Sequence, residues 1–98
     1  MKQSEVSRAI RNFANFKASA LSGRDGSIDV TGRLSGKARD NYEQHQSYIG
    51  YTIFSYDTPI AYFGRYGWVV FTDKYSVTTS RHTNIVKEAL WDKNVTLV

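Results

Sequence analysis

The sequence contains no cysteine, one proline, two histidines and no long apolar run. Without cysteine the chain cannot form disulfides, thiolate nucleophiles or thiolate zinc sites. No stretch approaches the roughly 18 apolar residues that a membrane span needs, and the N-terminus lacks the pattern of a signal peptide. We therefore expect a chain with no membrane segment that resides in the cytoplasm.

What is present is the composition of a globular protein. The 98 residues, of which 41% are hydrophobic, fit one domain over 1–98 with a single core. The net charge of +4 is concentrated in residues 1–24, which hold five basic side chains against one acidic side chain. Such an asymmetry can attract an acidic protein surface or a nucleic acid.

The N-terminal region has the pattern of an amphipathic helix. Apolar residues recur at helical spacing between Val6 and Ala20, which predicts a helix capped by Ser4 that ends near Leu21. On this helix Arg8 and Arg11 form a solvated basic ridge opposite the apolar stripe. Lys17 falls on the apolar side, where its stem can lie along the core and its amine can reach water.

The middle of the chain is rich in aromatic and β-branched residues, which predicts a three-stranded antiparallel meander. Residues 57–59 are predicted to form its first turn, and the glycines of 64–67 indicate a hairpin turn. An alternating segment before the meander predicts one further strand, and a polar segment with apolar residues spaced by four predicts a short helix. The predicted strands are 27–31, 48–56, 60–63 and 68–71, and the short helix lies within 32–46.

A second amphipathic helix is predicted near the C-terminus. Its apolar face comprises Ile85, Val86, Ala89 and Leu90, and its N-cap is Thr79 or Ser80. Residues 95–98 either dock as an edge strand or trail over the core. The predicted fold is α+β, with an antiparallel sheet of three to four strands packed against an N-terminal and a C-terminal amphipathic helix.

Neither a catalytic nor a metal site is indicated. Ser80 and His82 could suggest a nucleophile and its base, but the helical wheel places His82 within the apolar stripe, with its ring turned inward. His45 is isolated in a polar segment, and two histidines without cysteine or paired carboxylates do not make a metal site. We therefore predict a non-enzymatic protein without a cofactor.

Residues 78–81 place hydroxyl groups and Arg81 at the start of the second helix. Such a helix start can bind an anion, but helix capping with an exposed arginine is the favoured interpretation.

Two classes of binding partner remain open. Nucleic acid could contact the basic side chains Arg8, Arg11, Lys17 and Arg81, with strand tyrosines stacking on bases. No recognised nucleic-acid-binding motif is present, however. A partner protein could instead be bound through the residue types that dominate interface hot spots, here Tyr56, Tyr62, Arg65 and Tyr66. The same aromatic side chains also allow a homodimer.

Two segments resemble a known family. Residues 55–61 read S-Y-D-T-P-I-A, and residues 75–82 read Y-S-V-T-T-S-R-H. Both are similar to the motifs S-Y-x-T-P-I-A and Y-S-x-T-T-S-R-H of a small domain of unknown function that is common in proteins of tailed bacteriophages and prophages. The resemblance covers about 40 residues. It implies a small viral accessory protein that acts inside the host cell by binding a host or defence protein, CRISPR effectors among them.

Overall fold

The structure, a computed structural model, describes residues 1–28, 34–72 and 76–98. Along these residues, helices pack on one mixed sheet, which confirms the predicted α+β class. The helices are α1 (Gln3–Arg11), α2 (Gly36–His45) and α3 (Val77–Ala89), and a 3₁₀ turn spans Gln46–Tyr48. The strands are β1 (Phe16–Ala18), β2 (Leu21–Asp25), β3 (Tyr51–Ser55), β4 (Thr58–Gly64), β5 (Gly67–Val70) and β6 (Val95–Leu97).

The sheet is larger than the sequence predicts. Within the described ranges it has six strands in the order of the chain, antiparallel from β1 to β5, with β6 parallel to β5. The predicted meander is confirmed as β3–β4–β5, and the C-terminal residues do dock as an edge strand. The prediction of an antiparallel sheet with three to four strands is wrong. β6 is parallel because α3 carries the chain back to the other end of the sheet before β6 begins.

The predicted N-terminal helix ends one residue after Ile10, and the prediction that it reaches Leu21 is wrong. The helix begins at Gln3, without Ser4 as its cap. Phe13 adopts a left-handed backbone conformation with φ of 55°, which ends the helical path. Its ring then stacks on Trp68, with ring centres 5.7 Å apart. The chain continues into β1 and β2, so Lys17 lies on a strand.

Two boundaries in the middle of the chain also differ from prediction. The first turn of the meander is Tyr56–Asp57, and Pro59 lies within β4. Proline is tolerated there because the pairing of β3 with β4 shifts register at this point, so that its missing N–H interrupts no regular ladder. The strand predicted over 27–31 is wrong at Ser27 and Ile28, which follow β2 as irregular chain, and 29–31 lie outside the described residues.

The helix predicted within 32–46 is confirmed by α2, although residues 32 and 33 lie outside the description. The C-terminal helix is confirmed by α3, but its predicted cap is wrong. The Oγ atom of Ser76 accepts a hydrogen bond from the backbone N–H of Thr79 at 3.1 Å, so the helix begins earlier than its apolar stripe indicates.

The helices cover both faces of the sheet. α1 and α3 pack on one face over an apolar cluster that includes Ile10, Ile53 and Val86. α2 packs on the opposite face over a second cluster that includes Tyr42 and Tyr62. Among the helices described, none is long and apolar enough to cross a bilayer.

Candidate binding site

The turn between β4 and β5 presents two large side chains to solvent. Gly64 pairs with Gly67, which leaves Arg65 and Tyr66 as the two residues of the turn. Gly67 has a φ of +98°, a conformation that L side chains rarely adopt, and this lets the chain reverse tightly. Tyr66 is 77% exposed, and Arg65 is exposed beside it.

Arg65 lies between two tyrosine rings. Its guanidinium carbon is 5.0 Å from the ring centre of Tyr48 and 5.7 Å from that of Tyr66. Tyr48 ends the 3₁₀ turn and is 57% exposed. Stacking restrains the guanidinium while leaving its N–H groups free to bind in its own plane. We call these three side chains the Tyr–Arg surface.

The described residues supply no acidic partner for Arg65. The ion pairs between them join Arg11 to Asp92 and Arg39 to Asp40. A guanidinium that is restrained by aromatic rings and lacks a carboxylate within the described chain is suited to binding an external anion.

A small cavity of about 110 Å³ opens beside the Tyr–Arg surface, where α2 meets the sheet. We call it the α2 cavity. A water molecule occupies about 30 Å³ of liquid, so the α2 cavity has room for a functional group of a few atoms and not for a cofactor. Its lining comprises Asn41, His45, Tyr62, Arg65, Tyr66, Gly67, Val69 and Thr96.

Hydrogen bonds fix the wall of this cavity. The hydroxyl of buried Tyr62 donates to Oδ1 of Asn41 at 2.5 Å and lies 3.2 Å from Nδ1 of His45. Nδ1 also lies 2.9 Å from the backbone oxygen of Asn41, which can only accept. Nδ1 therefore carries the proton, and the orientations of both side chains on α2 are set.

The Tyr62 hydroxyl is held in its protonated form. Burial and the neighbouring Tyr42 raise the pKa of Tyr62 to about 12. It therefore remains a donor to Asn41 throughout the physiological range. Because Oδ1 accepts this hydrogen bond, the amide of Asn41 is oriented, and its Nδ2 group is a donor that it can offer to a ligand.

The second histidine lies in a different environment. Nδ1 of His82 is 2.7 Å from Oγ of Ser55, which in turn lies 3.2 Å from Oγ1 of Thr79. Ser55 is 1% exposed, so a substrate cannot reach its hydroxyl in this conformation. These hydrogen bonds connect α3 to β3. Burial and, to a smaller extent, the charge of Arg81 lower the pKa of His82. The described residues contain no group of three or more acidic or histidine side chains that could hold a metal ion.

A wider, open groove of about 720 Å³ lies at the opposite end of the sheet. Lys17, Arg24 and Tyr56 are among its lining residues. Tyr56 is 60% exposed and has a φ of 57°, an uncommon conformation for a bulky side chain. Its backbone N–H donates to the carbonyl of Ala20 at 2.7 Å, which joins the β3–β4 turn to the β1–β2 turn.

The predicted binding residues therefore separate into groups. Tyr62, Arg65 and Tyr66 meet at the α2 cavity, whereas Lys17 and Tyr56 line the open groove. The other three lie on helices: Arg8 and Arg81 are exposed on α1 and α3, and Arg11 is also on α1. They do not join either group of lining residues.

Arg11 has a structural partner. Its guanidinium forms two hydrogen bonds to the carboxylate of Asp92, at 2.6 and 3.0 Å, and a third to the carbonyl of Ala89. The hydrogen bonds from Arg11 hold the pKa of Asp92 at about 2. These contacts link α1 to the end of α3, so the guanidinium is engaged within the fold.

The profile of a family of unknown function (DUF8033) matches residues 10–95. The chain belongs to this family. No curated protein and no solved structure shows significant similarity to it.

In this DUF8033 chain the two motif segments meet in space. Ser55, in the first motif, contacts Thr79 and His82, in the second motif, through the hydrogen bonds of the buried histidine group. These residues join β3 to α3 and lie away from the α2 cavity, which is lined by other residues.

Sequence reasoning missed several residues that the structure brings to a surface. Asn41 and His45 are four residues apart on α2, a spacing that places them on the same side of a helix and could have been noticed. Arg24 lies on β2, a strand that the sequence did not predict, and it lines the open groove. Trp91 follows α3 and is 80% exposed, beside exposed Leu97 of β6, and no pattern in the sequence distinguished it from a core tryptophan.

Proposed function

We propose that this protein is a non-enzymatic binding protein that recognises a partner protein through the Tyr–Arg surface. One observation carries the proposal: Arg65 is restrained between two exposed tyrosines and has no carboxylate partner among the described residues. Tyrosine and arginine are the side chains that most often dominate the energetics of protein interfaces.

The arrangement also lowers the entropic cost of binding. An exposed arginine loses considerable side-chain freedom when a partner immobilises it, by about 0.5–1.5 kcal/mol for each such side chain. Stacking restrains Arg65 before the partner arrives, and the 3₁₀ turn and the hairpin hold both tyrosines on short, hydrogen-bonded segments. The surface is thus organised in advance in the manner of a hot spot.

The biological context is proposed from the resemblance to small phage and prophage domains. In that setting the chain is an accessory protein of a bacterial virus that acts in the host cytoplasm. Its partner is then a host enzyme or a defence protein, with CRISPR effectors as one class, and binding modulates or inhibits it.

Nucleic-acid binding is the second candidate, and the open groove favours it. Lys17 and Arg24 line this groove together with exposed Tyr56, and the chain carries a net charge of +4. Cationic side chains that contact phosphates and an aromatic ring that stacks on bases are the elements of a single-strand binder. Asp57 also lines the groove and opposes this interaction.

Affinity capture tests the first candidate. The wild-type protein and a variant with Tyr48→Ala, Arg65→Gln and Tyr66→Ala are used as bait in bacterial lysate, and bound proteins are identified by mass spectrometry. We expect a stoichiometric protein that the variant loses and that rebinds when purified. The control variant Arg8→Gln removes an exposed arginine outside the Tyr–Arg surface, and it should still bind the captured protein. A partner that the triple variant retains would contradict the proposal.

A salt titration separates the second candidate. Binding of single-stranded DNA and RNA is measured between low and physiological salt for the wild type and for Lys17→Gln with Arg24→Gln. Phosphate contacts give an affinity that falls log-linearly with salt, and losing two of them should flatten the slope. Absence of binding at low salt would rule out this function.

A further inference from the structure

We infer that the α2 cavity binds a carboxylate group of the partner, with Arg65 as its cationic anchor. This inference rests on the proposed function, because it names the chemistry by which the Tyr–Arg surface would select its partner. The partner segment is therefore acidic, and its carboxylate comes from an aspartate or glutamate side chain or from a chain terminus.

The hydrogen-bonding groups of the cavity favour an anion. Arg65 offers N–H donors, Thr96 offers a hydroxyl, and the Nδ2 group of Asn41 offers further N–H donors. None of the eight lining residues is acidic. A group that only accepts hydrogen bonds and carries negative charge is therefore complementary to the donors of Arg65, Thr96 and Asn41.

The size of the cavity selects a small group. A volume of about 110 Å³ holds a carboxylate with one or two methylene groups, but not an aromatic or branched side chain together with its hydration. Val69 contributes apolar surface against which methylene groups can pack. Arg65, Tyr66 and Thr96 are exposed lining residues, so the guanidinium is accessible to the charged end of an entering side chain.

Enclosure gives the charge pair more weight than it would have on an open surface. Fully exposed ion pairs contribute little because water screens them and both side chains must be ordered. Here the rings of Tyr48 and Tyr66 already order Arg65, and the cavity wall removes part of the water from a bound carboxylate. Arg65 is therefore expected to select the charged group as well as to attract it.

Small-molecule titrations followed by ¹⁵N NMR test this inference without the partner. The probes are N-acetyl-glutamate N-methylamide for a side-chain carboxylate and N-acetyl-alanine for a terminal one. N-acetyl-glutamine N-methylamide is the uncharged control, and inorganic phosphate is the competing anion. We expect saturable shifts at Asn41, His45, Gly67 and Thr96 with a carboxylate probe, and none with the glutamine probe.

Variants of Arg65 sharpen the result. Arg65→Lys keeps the charge but loses the planar fork and the stacked geometry, so the carboxylate affinity should fall about tenfold. Arg8→Gln should leave it unchanged. Equal binding of the glutamine probe, tighter binding of phosphate, shifts spread over the basic residues of the whole surface, or no saturable shift would each overturn the inference.

Failure of this inference can be distinguished from failure of the proposed function. If the triple variant loses the captured partner while the carboxylate probes do not bind to the wild type, protein binding stands and the carboxylate inference is overturned. Spectra of each variant in the absence of probe establish that it is folded, and exposed Arg65 is not part of either apolar cluster.

Discussion

The two faces of the sheet are covered by helices but are built from different side chains. The face beneath α1 and α3 is mostly apolar, and the rings of Phe13, Phe63 and Trp68 contact one another at one end of it. The face beneath α2 contains a chain of hydroxyl groups, in which Tyr42 bonds Thr52 at 3.0 Å and accepts from the N–H of Ile28 at 3.1 Å.

This difference separates stability from recognition. Close packing stabilises the apolar face, whereas on the other face directional hydrogen bonds also orient the side chains of α2 on the sheet. The polar face continues through Tyr62 into the wall of the α2 cavity. Changes on the apolar face should therefore alter stability alone, and changes on the polar face near the cavity should alter stability and ligand binding together.

The largest effect is expected at Gly23 on the apolar face. A methyl group at this position would overlap the Tyr51 hydroxyl and approach a ring carbon of Phe16 to 2.5 Å. The Tyr51 hydroxyl donates to the carbonyl of Ala14, so it cannot move without losing that bond. Gly23→Ala should lower the free energy of unfolding by about 3 kcal/mol, as measured by urea titration.

Gly50→Ala is the matched control, because no heavy atom lies within 4 Å of the added methyl group. It should leave stability nearly unchanged. Equal stabilities of the two variants would contradict the close packing at Gly23, and a change in carboxylate binding by Gly23→Ala would contradict the separation of the two faces.

A smaller effect is expected at Tyr42 on the polar face. Tyr42→Phe preserves packing but leaves the N–H of Ile28 without its acceptor, and Thr52 loses one of its two partners. We expect the free energy of unfolding to fall by about 2 kcal/mol, because buried polar groups would be left unsatisfied. A loss below half of that in urea titrations would show that water replaces the hydroxyl.

Tyr62→Phe tests the link from the polar face to the cavity. The loss of its hydroxyl should cost about 1 kcal/mol in urea titrations, and it also releases the amide of Asn41. The glutamate probe should bind more weakly to this variant, whereas Tyr42→Phe should change its affinity less. The reverse order of affinities would indicate that Tyr62 does not position the cavity wall.

The smallest effect concerns His82, the polar exception on the apolar side. Its folded-state pKa is lowered, so the unfolded chain binds this proton more readily. The stabilisation is complete above the ordinary pKa of 6.5 and is lost as the pH falls from there through the folded-state value. Urea titrations at pH 7.5 and 5.5 should show that the free energy of unfolding falls at the lower pH, and His82→Gln should make this fall smaller. An equal fall in that variant would contradict the role of His82.

Local pattern predicted the elements in which one signal dominates. The meander was predicted because residues 48–71 combine β-rich composition with clear turns, and α3 because its apolar residues keep helical spacing. β1 and β2 were missed because Phe13 and Phe16 happen to continue the spacing of α1. Only the left-handed conformation of Phe13, stabilised by distant Trp68, shows where that helix ends.

The candidate site was predictable only in part for the same reason. Arg65 and Tyr66 were predicted to bind because their residue types dominate interface hot spots. Asn41 and His45 were not, because their role depends on how α2 packs on β4, which is a contact between segments distant in sequence. Arg11 was assigned to a binding ridge because Asp92, its partner, is 81 residues away in the chain.

The strand order, which equals the chain order, has a consequence for how the protein folds. The pairings β1–β2, β3–β4 and β4–β5 join strands that are linked by two residues, so these contacts can form by local zipping. The pairings β2–β3 and β5–β6 instead close longer loops, residues 26–50 and 71–94, which contain α2 and α3. Because β6 has three residues and lies at the edge of the sheet, we expect the β5–β6 pairing to open first, as the earliest amide hydrogen exchange in the sheet.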